Sequence, residues 1–223
     1  MENEKILEGL SAEYDLRFAG KEKDRNRVWS VLVKDYFQDL IGADKVVLDL
    51  GCGYGEFINH ISASKKYGMD LNPDAPKFLN KEVSFLEQDC SMEWSVADAS
   101  LDVVFTSNFF EHLPNKASLS KTLEQAHRCL RPGGKIICLG PNIKYLPGAY
   151  WDFWDHFLEL TELSLAEGLQ LHGYNVEKMI PKFLPYTMSD KVPPANWLIQ
   201  LYLKLPLVWK IKGRQFLVVG VKK

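Results

Sequence analysis

Val46-Val47-Leu48-Asp49-Leu50 runs apolar into Gly51-Cys52-Gly53-Tyr54-Gly55, and a new apolar pattern begins at Phe57. This stretch limits the possible folds more than any other. It reads as a buried strand, a tight turn and the start of a helix. Glycines at alternate positions let a ligand lie against bare main chain, because no Cβ intrudes and positive φ costs little. Two glycine-rich phosphate loops do not match. The dinucleotide fingerprint G-x-G-x-x-G needs its third glycine where Glu56 stands, and the P-loop pattern G-x-x-x-x-G-K-[ST] does not occur.

Strand-like and helix-like segments alternate from about residue 28 to residue 142. Val28 to Leu40 has helical spacing. Asp44 to Leu50 is the first strand, and Glu56 to Ala63 suits a helix. Strands follow at Tyr67 to Leu71, Val83 to Leu86 and Leu101 to Thr106. A helix over Ser118 to Leu130 is stopped by Arg131-Pro132-Gly133-Gly134, before a fifth strand at Lys135 to Leu139. Strands this apolar are buried on both faces, as in a parallel sheet covered by helices. Such sheets bind ligands at the carboxyl ends of their strands. Asp49, Asp70, Asp89, Asn108 and Asn142 fall at those ends. Thr161 to His172 reads as a helix with Gly173 just past its end. Two more strands are expected at Asn175 to Ile180 and Gln215 to Val221, separated by an apolar stretch too long for a hairpin loop.

The D-x-G-x-G-x-G pattern resembles motif I of the class I S-adenosylmethionine (SAM) dependent methyltransferases. Asp70, Asp89-Cys90, the Asn108 to Leu113 element and Arg131-Pro132-Gly133-Gly134 agree with that family in order and spacing. The resemblance covers about residues 28–185 and extends to a small-molecule and glycan subgroup. It implies a Rossmann-like, doubly wound α/β fold with a mostly parallel seven-stranded sheet and helices on both faces. Residues 1–223 are then one domain: a cofactor-covering segment (1–27), the core (28–185), an apolar insertion (186–213) and a last strand (214–223).

The resemblance also assigns roles. Backbone at Gly51 and Gly53 would meet the methionine end of SAM, with Asp49 organising the loop or the amine and Gly55 completing the cofactor turn. Asp70 would accept from both ribose hydroxyls, since one carboxylate offers two oxygens. Leu71, Asp89, Cys90 and Asn108 complete the expected cofactor set, with Asp89-Cys90 at the adenine. Tyr14 and Arg17 could touch the cofactor, although a solvated helix face is the competing reading.

The sulfonium carries the hard chemistry, so the protein must align a nucleophile and exclude water. If that nucleophile is a hydroxyl, a base helps. His112 is one candidate, beside the alternative of a structural histidine. Asp155 and His156 are another pair, in the aromatic run Tyr150 to His156. Asp152, Asp155 and His156 could instead hold a divalent metal, but three ligands within five residues is an awkward geometry, and no metal is expected. A methyltransferase-like binding module without catalysis is the alternative function.

A net charge of −2 leaves no electrostatic footprint for nucleic acid. Cys52, Cys90, Cys129 and Cys138 are scattered, without a C-x-x-C pair, so neither a disulfide framework nor a zinc site is expected. Met1 to Leu10 lacks an apolar signal core, and a cytoplasmic setting is the default expectation. Residues 195–212 bear Trp197, Leu198, Leu201, Tyr202, Leu205 and Trp209 at near-helical spacing beside lysines. That pattern suits a helix packed on the domain, a dimer interface or a peripheral membrane contact, with Pro206 kinking or ending it.

Overall fold

The computed structural model describes residue 20 and residues 22–186 and 194–223. Tyr14 and Arg17, with most of the proposed covering segment, lie outside the described residues. Seven strands form one sheet: β1 (Val46–Leu50), β2 (Lys65–Asp70), β3 (Val83–Glu87), β4 (Leu101–Ser107), β5 (Leu130–Pro141), β6 (Tyr174–Ile180) and β7 (Gln215–Lys222). Their order is β3-β2-β1-β4-β5-β7-β6. The first five pair in parallel, and β7 runs antiparallel to both β5 and β6. The last strand is therefore no appendage, because β6 reaches the sheet only through it.

Two apolar cores lie on the two faces, and strand alternation feeds both. Leu48, Val104, Ile136, Cys138 and Val218 join α2 (Lys116–Cys129) and α3 (Glu162–Leu171) in one core. Val47, Val103, Phe105, Ile137 and Val219 face the other way. That second core is closed by α1 (Glu22–Leu32), which continues through a π-turn (Val33–Phe37) to Ile41. It also takes in α4 (Asn196–Leu203) and α5 (Pro206–Lys212). All four cysteines are buried free thiols.

Local signals account for several boundaries. Asn115 caps α2 by accepting from the Ser118 N–H. Thr161 and Ser164 form a capping box at α3, and Gly173 ends that helix with φ +85°. Pro206 separates α4 from α5, as its missing N–H requires. One expected helix is absent. Residues 56–60 form successive turns, with the His60 N–H donating to the Phe57 carbonyl and the Asn59 and Ile61 N–H groups donating one turn back to the Gly55 and Phe57 carbonyls. The Ile58 N–H turns to the Asp49 carboxylate, which ties the start of this segment to β1.

Thr161→Ala removes one side of the capping box. It should cost about 1 kcal/mol, lowering the melting temperature by roughly 2–4 °C for a chain of this size. Thermal denaturation followed by circular dichroism checks this.

Candidate functional site

The sheet order brings the ends of β3, β2, β1 and β4 side by side. The chain reverses its winding between β1 and β4, and the glycine turn leaves the sheet at that switch point. Gly51, Gly53 and Gly55 all have positive φ, at +71°, +49° and +78°. The Gly51 and Cys52 N–H groups both donate to the Met69 carbonyl, at 2.9 and 3.1 Å. A Cβ on Gly51 would lie 2.3 Å from the Phe109 ring, and one on Gly55 would strike Leu79 and Asn59. Bare main chain is thus required at both positions by close packing as well as by backbone shape.

Asp70 joins the turn directly. Its Oδ2 accepts from the Gly53 N–H at 2.7 Å, and its Oδ1 accepts from the Asn72 N–H at 2.9 Å. The same carboxylate that is placed to meet a ligand thus also caps the turn. Backbone donors from Gly53, Asn72 and Leu71 orient it. Burial raises Asp70 above the usual carboxylate range, while its backbone donors and nearby His112 pull the other way.

Asp49, only 3% exposed, is held well above the ordinary carboxylate range by burial and by the charges of Glu56 and Asp70. Glu56 is tied to Arg25 of α1 at 2.7 Å. Asp70 and Asp49 beside a turn of bare main chain suit a ligand that brings hydrogen-bond donors and positive charge. SAM carries a sulfonium, an ammonium and a ribose diol, so the residues present fit it.

The remaining expected contacts are adjacent. Leu71 is exposed beside Asp70. The Gln88 N–H reaches the Asp70 carbonyl at 3.3 Å, which draws the Asp89-Cys90 loop alongside. Asp89 is exposed, and its Oδ1 accepts from both the backbone N–H and the hydroxyl of Ser91 at 2.8 Å. Cys90 is buried, and its carbonyl accepts from the Trp94 indole at 2.8 Å. Asn108 ends β4 at φ +49°, a left-handed conformation that asparagine tolerates better than most residues, and its own N–H holds the Leu139 carbonyl.

Beyond β4, the Phe110–His112 turn is stitched to the aromatic segment. The Glu111 carbonyl accepts from the Phe157 and Leu158 N–H groups at 2.8 and 3.1 Å. This seam brings together the two expected catalytic elements. His112 Nδ1 lies 2.9 Å from Asp155 Oδ2 and 3.1 Å from the Asp155 carbonyl. His156, 7% exposed, places Nδ1 2.9 Å from the Tyr150 carbonyl, and its ring meets that of His112 edge-on at 5.1 Å. Burial pulls His112 down, but its bonds to Asp155 and the charges of Glu111 and Asp155 outweigh that, leaving it raised above 6.5.

Asp152 is exposed, and the residues whose donor atoms converge are Glu111, His112 and His156, within 4.8 Å of one another. The metal set weighed from local spacing, Asp152 with Asp155 and His156, is not the group that comes together. Sequence reading also passed over three residues. Tyr54 stacks on Phe78 at 3.9 Å over the glycine turn. Asn72 Nδ2 and Thr106 Oγ1 are buried with no hydrogen-bond partner among the described residues. Asn72, two positions past Asp70, was legible only as a turn residue. Nothing in an apolar strand marks Thr106.

A family model for a methyltransferase domain matches residues 22–179. A demethylmenaquinone methyltransferase of Symbiobacterium thermophilum is 25% identical over 130 residues, covering 52% of this chain and 51% of that protein. A 27-O-demethylrifamycin SV methyltransferase of Amycolatopsis mediterranei is 33% identical over 101 residues, 40% of this chain and 36% of the relative. The chain spans about half the length of the curated relatives it matches. In fold it is similar to a SAM-dependent methyltransferase from Archaeoglobus fulgidus, at TM-score 0.67 and 21% identity over 94% of this chain and 98% of that one.

Asp70→Asn removes the charge from the proposed ribose contact and keeps its shape. Calorimetric affinity for S-adenosylhomocysteine should fall about 10–100-fold, the range expected when hydrogen bonds to a charged group are weakened.

Proposed function

The chain belongs to the methyltransferase-domain family, and on that premise we propose that it is a SAM-dependent methyltransferase acting on a hydroxyl of a small-molecule or glycan acceptor, with His112 as the base. The observation that carries this reading is the contact of 2.9 Å between His112 Nδ1 and Asp155 Oδ2. With the Nδ1 proton donated to that carboxylate, the lone pair sits on Nε2. Asp155 then fixes the tautomer and stabilises the imidazolium formed when Nε2 takes the hydroxyl proton.

The bound cofactor supplies an electrophilic methyl on sulfur. The chain's own task is to hold the acceptor oxygen in line and keep water out. His156, pinned by the Tyr150 carbonyl and stacked on Phe153, braces the edge of the His112 ring. Trp151, Trp154 and Phe157 are exposed around this segment and offer an apolar rim to an acceptor ring. The relatives' names support a small organic acceptor, and the Amycolatopsis name specifies a 27-O-demethylated one.

Incubation with SAM and a panel of phenols, hydroquinones and sugars, with products resolved by NMR, tests the assignment. O-methyl products are expected, and exclusive C- or N-methylation rejects the hydroxyl reading. His112→Gln should lower kcat by about 10²–10⁴-fold, the usual contribution of a positioned base, while S-adenosylhomocysteine still binds.

The pH profile gives a separate test. Neutral His112 accumulates as pH rises through its elevated value, so the acidic limb of kcat/KM should lie above 6.5. Asp155→Asn removes the contact that raises it, and the limb should move down. A limb that stays in place in Asp155→Asn removes His112 from the base role.

A further inference from the structure

The stretch between Pro194 and Arg214 contains Lys204, Lys210, Lys212 and Arg214 and no acidic residue, in a chain whose net charge is −2. It forms α4 and α5, joined through Lys204 and Leu205. One side of this pair is anchored. Ile199, Leu203 and Trp209 are buried in the core shared with α1, and the Tyr202 hydroxyl donates to the Phe183 carbonyl. Arg27 of α1 donates to the Pro194 carbonyl at 2.9 Å and to the Asn196 side chain at 2.6 Å.

The other side is apolar and open. Trp197, Leu198 and Leu201 on α4 and Leu205 at the junction continue one helical spacing and are 62%, 42%, 48% and 42% exposed. Leu207 and Ile211, one turn apart on α5, are 74% and 69% exposed. Lys204, Lys210 and Lys212 are exposed among them.

We propose that this face seats on an anionic bilayer surface. Apolar side chains, a tryptophan and a lysine fringe on helices lying flat are what an interfacial element needs. The helices are ordered by the core beneath them, so little conformational entropy remains to be lost on contact. A second copy of the chain is the competing occupant. A two-fold interface would set this cationic stretch against its own image, which like-charge repulsion opposes. No helix among the described residues is long and apolar enough to cross a membrane, so the contact is peripheral. The inference concerns a surface apart from the glycine turn and does not require methyl transfer.

Vesicle flotation of the full chain tests it, comparing phosphatidylcholine alone with phosphatidylcholine containing phosphatidylglycerol. Partitioning onto the anionic vesicles should be on the order of a hundredfold stronger, at about fivefold per surface lysine, and high salt should abolish the difference. The double variant Leu207→Glu/Ile211→Glu should stay at the bottom of the gradient while still binding S-adenosylhomocysteine. The triple variant Lys204→Gln/Lys210→Gln/Lys212→Gln should lose the preference for anionic lipid. Absence of flotation with either vesicle overturns the proposal, as does flotation that both variants retain. A concentration-dependent dimer in sedimentation, broken by Leu207→Glu, also overturns it and makes the face an interface between copies.

Discussion

The bond from the Gly53 N–H to the Asp70 carboxylate, 2.7 Å long, ties the turn after β1 to the end of β2. It forms only if β1 and β2 are neighbours in parallel and in the observed register. It also needs the positive φ values that glycine supplies in the turn. The bond therefore tests strand order, register and turn chemistry together. What it secures is a buried carboxylate aimed at the mouth of the sheet, with Asp49 and Glu56 close behind. Burying acids together is unfavourable. The raised proton affinities of Asp49 and Asp70 record that cost. A cationic nucleoside offsets it, so the ligand the site suits is also one that relieves its strain.

The chemistry on the acceptor side rests on a second seam. The Glu111 carbonyl holds the backbone of Phe157 and Leu158, and through it two histidines 44 positions apart in sequence meet edge to edge. Asp155 fixes one ring and the Tyr150 carbonyl the other. The glycine-turn half of the site thus depends on sheet register, and the His112 half on a loop packed across the end of β4. A charge on His112 favours the ionised form of Asp70.

Features written in local order were legible. The strands, the glycine turn and Asp70 at the end of β2 follow from apolar runs and the punctuation that closes them. Thr161, Gly173 and Pro206 marked helix ends through backbone chemistry that needs no tertiary partner. The helix expected over 56–63 is reduced to turns that end at His60, and apolar spacing does not encode where such a segment stops. His112, Asp155 and His156 could each be nominated, but their convergence depends on the Glu111 seam. Asp152 looked like a ligand because it is close to Asp155 in the chain, and the fold leaves it at the surface. The place of β7 between β5 and β6 was likewise invisible, since an apolar strand at the chain's end carries no sign of its neighbours.

The buried thiols have a use of their own. Cys52 lies in the glycine turn, Cys138 within β5, Cys90 in the loop after β3 and Cys129 at the end of α2. Burial raises the proton affinity of all four, so at neutral pH they are protonated, shielded and poor nucleophiles. An alkylating reagent can reach each one only when its surroundings come apart. Their four reaction rates would therefore chart how separate regions of the molecule breathe, with no label added to the native chain.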